Sequence, residues 1–252
     1  MGIRCWVTGY KLHVTGSMNY SIAIFFGLAP SFIWLLFFLK KDTHPESNQM
    51  ILKIFFYGMA IALVAAFVEL GVMALFQGEL TFWQGIFYGF IGIALTEEIL
   101  KYLVVRRKIL YSSAFDEPTD AILYMIIAGL GFAALENILI LTGLGEGFPY
   151  FDTMTTSIVR FVGATFLHAL ASGTLGFFLA LSLFYTKKRT GLILTGIFLA
   201  TLLHGFYNLF IIKAGTNLSW IIPPLILLVF FAFFVSFGFK KVKRLRSICK
   251  IT

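Results

Sequence analysis

The segment FWQGIFYGFIGIALTEEILKYLVV, residues 82–105, decides how the rest of this 252-residue chain is read. As a helix rising 1.5 Å per residue it spans roughly 36 Å, enough to cross ~30 Å of hydrocarbon. Residues 82–96 carry no charge, and Arg106-Arg107-Lys108 close the run. Inside it sit Glu97, Glu98 and Lys101. A charged side chain at the centre of a bilayer costs at least ~2.5–3.5 kcal/mol, so three in one turn need a reason.

The composition says that the segment is not exceptional. Hydrophobic residues make up 59% and charged residues 13%, about half the charged share of a soluble chain, which is roughly 25%. The mean hydropathy is +0.91. A soluble domain of this length has no core large enough to hide that much apolar surface. Thirty Phe and 23 Gly suit lipid contact and close helix packing. Apolar runs recur near 20–39, 54–76, 82–105, 121–142, 157–186, 191–212 and 218–239. The short alternating segments of a β-barrel are missing. The expected fold is an all-α polytopic bundle of about seven transmembrane helices in one domain, residues 1–252.

A net charge of +8 and a pI near 9.5 would raise nucleic acid as a partner of a soluble protein. Here the placement of the bases excludes it. Fifteen of the 20 Lys and Arg flank one set of loops: Lys40, Lys41 and Lys53; Arg106, Arg107 and Lys108; Lys187, Lys188 and Arg189; Lys240, Lys241, Lys243, Arg244, Arg246 and Lys250. Arg4, Lys11 and Lys213 fall on the other side, whose loop 143–155 holds Glu146 and Asp152 and no base. Bases collect on the cytoplasmic side, so the N-terminus is expected outside and the C-terminus inside, in the cell membrane. Cys5 and Cys249 lie at opposite ends, on opposite expected sides, and do not pair. The first seventeen residues lack the form of a signal peptide, and Met18 offers a later start.

The intramembrane polar groups concentrate in four consecutive helices: Glu97, Glu98 and Lys101; Glu136 and Asn137; Arg160 and His168; His204 and Asn208. Lys101 follows the glutamates by four and three residues, so it lies beside either. His204 and Asn208 share a face by the same spacing. Counted from the outer surface, Glu97, His168 and His204 lie about 22, 17 and 12 Å deep, within reach of one pocket. Two adjacent carboxylates in a low dielectric do not both ionise cheaply, which suits general acid–base work on a water. Histidines at that depth can shuttle protons or stabilise an oxyanion. Hydrolysis of a peptide bond by activated water fits, with Glu97, Glu98, His168 and His204 as catalytic candidates and Lys101, Glu136, Asn137, Arg160 and Asn208 in support.

These residues also stand in a recognisable order. Glu97-Glu98-Ile-Leu-Lys101, Phe115-Asp116-Glu117-Pro118-Thr-Asp120, Gly129-Leu-Gly131-Phe132-Ala-Ala-Leu-Glu136-Asn137, Arg160 with Phe166-Leu-His168-Ala, and His204-Gly-Phe-Tyr-Asn208 together resemble the PrsW family over residues 97–208. That family resembles in turn the CAAX prenyl endopeptidases, glutamate-dependent intramembrane proteases. The resemblance implies an intramembrane endopeptidase with Glu97, Glu98 and the two histidines at the active site. It also implies extracytoplasmic cleavage of a single-span membrane protein, such as an anti-sigma factor, in contact with membrane lipid.

Other readings remain open at this level. Glu97 or Glu98 with Lys101 also fits a structural ion pair, and Glu136 fits a hydrogen-bond partner for His204 or Arg160. Asp116 or Asp120 fits a helix cap, and Glu69 stands alone among apolar residues. A proton-coupled transporter uses similar Glu/His relays, but no repeated halves appear. No cofactor is called for; zinc is compatible with two His and a Glu, although no His-Glu-x-x-His motif is present. Ala171-Ser172-Gly173 only loosely resembles a rhomboid-type serine motif. The topology is directly measurable: a reporter active only in the cytoplasm is expected to work when fused after residue 245 and to fail when inserted in loop 143–155.

Overall fold

A computed structural model describes residues 20–41, 45–76, 80–110, 112, 115–143, 161–214 and 218–245. Arg160, Glu146, Asp152, Met18 and both cysteines lie outside the described residues. Seven long helical segments follow one another without a strand among the described residues. They are α1 (Tyr20–Leu39), α2 (Asn48–Met73), α3 (residues 82–108), α4 (Pro118–Gly143), α5 (residues 161–184), α6 (Arg189–Ala214) and α7 (Ile222–Lys243). Six are long and apolar enough to cross a membrane, namely all but α3. The chain is a multi-pass membrane protein of the cell membrane.

The segment 82–105, with its buried acids, is the irregular one. In α3, α-helix Phe82–Phe87 gives way to π-helix over Tyr88–Leu95, and α-helix resumes over Thr96–Lys108. Its start is fixed by a capping box, Thr81 with Gln84, which satisfies two otherwise orphaned N–H groups. At the π-to-α junction the Thr96 hydroxyl donates to the Ile91 carbonyl at 3.2 Å. A second π turn, Phe161–Thr165, leads into the α-helix Phe166–Phe184 of α5. Each π segment shifts the phase of the helix that follows, and such bulges gather at functional sites. Apolar periodicity marks neither.

Several helices outrun their expected limits. α2 begins at Asn48 rather than near 54, because Ser47 caps it by accepting from Met50 N. α4 begins at Pro118, whose fixed φ suits a first turn. Asp120, not Asp116, does the capping there: its Oδ2 accepts from Glu117 N at 2.8 Å and Asp116 N at 3.0 Å.

α4 is the axis of the bundle, buried without interruption from Thr119 to Ala134. Helices in lipid gain little from apolar burial alone, so they associate through close packing over small residues. A Cβ on Gly58 of α2 would meet the Ala128 carbonyl oxygen, and one on Gly131 of α4 would meet that of Phe55. A Cβ on Gly129 would strike Ser172 and the His168 carbonyl of α5. These contacts set the backbones of α2, α4 and α5 against each other. α1 joins through the Trp34–Phe166 stack (centroids 4.1 Å), and α7 through Phe234 edge-on to Phe177 at 5.5 Å. Phe25, Phe67 and Phe233 point outward, as lipid-facing positions do.

The backbone contact at Gly131 gives a sharp expectation. Gly131→Ala forces α2 and α4 apart and costs about 1–3 kcal/mol. Gly71→Ala, where an added Cβ meets nothing within 4 Å, is neutral or stabilising by about 0.4–1 kcal/mol. Thermal unfolding in detergent distinguishes the two.

Candidate active site

The α3 turn that follows the π segment carries Glu97, Glu98 and Lys101 inward, and all three are buried. The Lys101 ammonium is the hub. Its Nζ lies 2.8 Å from Glu98 Oε1, 3.1 Å from Glu97 Oε2 and 2.9 Å from His168 Nδ1. An ammonium has three donors and no acceptor, so all three are used and His168 Nδ1 is the acceptor. The Phe132 ring covers the same Nζ at 4.3 Å, a cation–π contact strengthened by exclusion of water.

The histidines arrive from two other helices. With Nδ1 accepting, His168 Nε2–H donates to Glu136 Oε2 at 2.7 Å. Glu136 thus orients His168; of the partners that the sequence suggested for it, His204 is not the one bonded here and Arg160 lies outside the described residues. His204 Nδ1 lies 3.1 Å from Glu98 Oε1, to which it donates. The two rings stand edge to face, 5.1 Å apart. Glu97 Oε2 lies 3.7 Å from His168 Nδ1 and 3.9 Å from His204 Nδ1, beyond hydrogen-bond distance.

Not every candidate joins this set. Asn137 donates to Thr165 Oγ1 at 2.9 Å and to the Gly27 carbonyl at 3.4 Å, tying α4 to α5 and α1 and supporting the π turn ahead of His168. Asn208 is half-buried one turn beyond His204, outside the hydrogen bonds of the cluster among the described residues. Among the described residues, Ser172 is buried with its hydroxyl unpartnered and pressed against Gly129, without the base a serine nucleophile needs.

The same residues also bear on metal binding. Glu97, Glu98, His168 and His204 each place a ligand atom within 4.8 Å of the others, and Glu98 Oε2 is buried without a partner. Two imidazoles with carboxylates are the donor types of hydrolytic zinc sites. By type the set fits a divalent cation. The Lys101 ammonium contacts three of the same four residues, so metal and ammonium compete for one place.

Fold and cluster together define a polytopic membrane protein with a buried acid–base site between its helices. A family model described as "PrsW family intramembrane metalloprotease" matches residues 46–237. The chain is 31% identical over 224 residues to Protease PrsW of Bacillus subtilis (strain 168), covering 88% of this chain and 94% of that protein. Protease PrsW of Oceanobacillus iheyensis is 30% identical over 203 residues, 81% of this chain and 88% of its own. Protease PrsW of Geobacillus kaustophilus is 31% identical over 188 residues, 72% and 76% respectively. No solved structure matches the chain. The chain belongs to the PrsW family.

The hub makes a stability prediction independent of catalysis. Lys101→Met leaves two buried carboxylates facing each other without their cation and lowers stability by about 3–5 kcal/mol. Adding Glu97→Gln to that variant recovers part of the loss. The double-mutant cycle, read by thermal unfolding in detergent, checks both.

Proposed function

We propose that this protease cleaves a peptide bond of a single-span membrane protein with a water activated by Glu97. The observation that carries the reading is the asymmetry of the glutamate pair. Glu98 is fully enclosed and its Oε1 is held by both Lys101 and His204. Glu97 engages Lys101 alone at hydrogen-bond distance, is slightly more open, and has both imidazoles just beyond contact. Glu97 is therefore the less engaged and less enclosed of the two carboxylates, and the one to which we assign the water.

The water loses a proton to Glu97 as its oxygen attacks the scissile carbonyl carbon. His204 is aimed by Glu98, and in the neutral ring its Nε2 is free to accept. Lys101 holds Glu97 and Glu98 in place and keeps positive charge beside the developing oxyanion. Glu97 returns the proton to the departing amine, and the carbon–nitrogen bond breaks. Glu136, bound to His168 Nε2, keeps that ring's other nitrogen turned to Lys101. Positioning and electrostatics in a water-poor site carry the rate. The depth of the cluster and its place on membrane-crossing helices support a membrane-embedded protein substrate. An anti-sigma factor cleaved on the extracytoplasmic side is the substrate we favour.

A second reading is favoured by the four-donor set and by the family description. Glu97, Glu98, His168 and His204 would hold the ion, and a divalent metal there would polarise the carbonyl and acidify water.

With purified enzyme and a single-span reporter, Glu97→Gln and Glu98→Gln are each expected to lower cleavage by at least about 100-fold at unchanged expression. Full activity in both sinks the glutamate mechanism. Activity is expected to survive chelation; loss on chelation with specific recovery by zinc selects the metal reading. Proton-dependent solute flux without cleavage would select a transporter.

A further inference from the structure

The acid that the sequence left alone, Glu69, lies in the apolar stretch of α2, where lipid exposure would be costly. It does not face lipid. Ala62, Ala65 and Glu69 recur at intervals of three and four on one face of α2, and Ala62 and Ala65 pack with Phe132, the residue whose ring covers Lys101. Glu69 continues that face one turn toward the outer end of the helix, which closes at Met73. The Glu69 carbonyl accepts from Tyr88 Oη at 3.4 Å, so α2 meets the π segment of α3 at this level. Among the described residues, Glu97 and Lys101 of α3 and Glu136 of α4 are near enough for their charges to act on Glu69. Helical side chains lean toward the N-terminus, and α2 runs outward, so Glu69 leans inward toward the cluster. Its neighbour Leu70 is 58% exposed on the lipid side.

The reaction consumes one water per bond, yet Glu97, Glu98, His168 and His204 are at most 4% exposed. Between them and the outer surface stand two more open acids, Glu69, which is half-buried, and Glu136, whose side chain is 30% exposed. We propose that Glu69 is a positioning residue at the outer mouth of the site, lining with Glu136 a hydrated vestibule through which water reaches Glu97. The inference rests on the hydrolytic reading above. In this arrangement the carboxylates keep a polar path open through an otherwise apolar outer half and hold water in line with the cluster. Replacing the carboxyl group narrows that path without touching the groups that do chemistry.

The test uses the full chain with Cys5→Ser and Cys249→Ser. Glu69→Cys is expected to react with a membrane-impermeant, water-requiring methanethiosulfonate reagent far faster than Leu70→Cys at the same depth. Equal, slow labelling overturns the vestibule. Glu69→Cys is also expected to cleave the reporter several-fold more slowly through kcat. An anionic sulfonatoethyl adduct is expected to restore the rate and a cationic trimethylammonium adduct to leave it low. A wild-type rate in the unmodified variant, or rescue by both adducts alike, overturns the role. Glu98→Gln run in parallel separates the two ideas: if it stays active the glutamate mechanism fails, while the labelling comparison still decides where Glu69 faces.

Discussion

Everything around the centre of this protein depends on one buried ammonium. Lys101 makes three hydrogen bonds, to Glu97, Glu98 and His168, and lies beneath the Phe132 ring. Without that cation two adjacent carboxylates inside a bilayer would repel one another in a medium that screens little. With it, each charge has a partner, and the three helices α3, α4 and α5 are bound to one point. His204 adds α6 through Glu98. The penalty of burying such a set is large, and it is tolerable only because every donor of the lysine is used.

The scaffold serves this arrangement by bringing backbones close. Gly58, Gly129 and Gly131 remove the side chains that would separate α2 and α5 from α4, and α4 is buried along most of its length as a result. The two π segments act more locally. Each precedes by a few residues a position in the cluster, Glu97 in α3 and His168 in α5, and rotates it relative to a regular helix. Asn137 braces the second through Thr165. The same lysine that stabilises the acids occupies the place that a divalent ion would need, so the cluster's stability and its chemistry are one question.

Much was legible in the residues themselves. Length of apolar run and the collar of bases gave the helices and their order, because lipid permits no other fold for such segments. The candidate residues were legible for the same reason: in a chain with few charges, Glu97, Glu98, Lys101 and Glu136 stand out inside the membrane. That Glu136 meets His168 was not legible, since a helix position gives depth and face but not which neighbouring helix it meets. Glu69 shows the same limit, for its own helix offers only apolar residues around it. The capping role of Asp120 could have been found, as it stands at the third position after Glu117.

The sequence by itself determined that this is a helical membrane protein, which turns are polar within the bilayer, and that those turns follow the order of the PrsW family. Each follows from local cost: every charge in lipid and every backbone group without water constrains its own segment. The tertiary structure alone decided that one lysine joins both glutamates to His168, that Glu136 serves His168 and Glu98 serves His204, and that α2 meets the π segment of α3 where the Glu69 carbonyl accepts from Tyr88. Those choices depend on glycine contacts and π turns that fix helix rotation and spacing, and rotation and spacing are properties of pairs of helices rather than of any one stretch of chain.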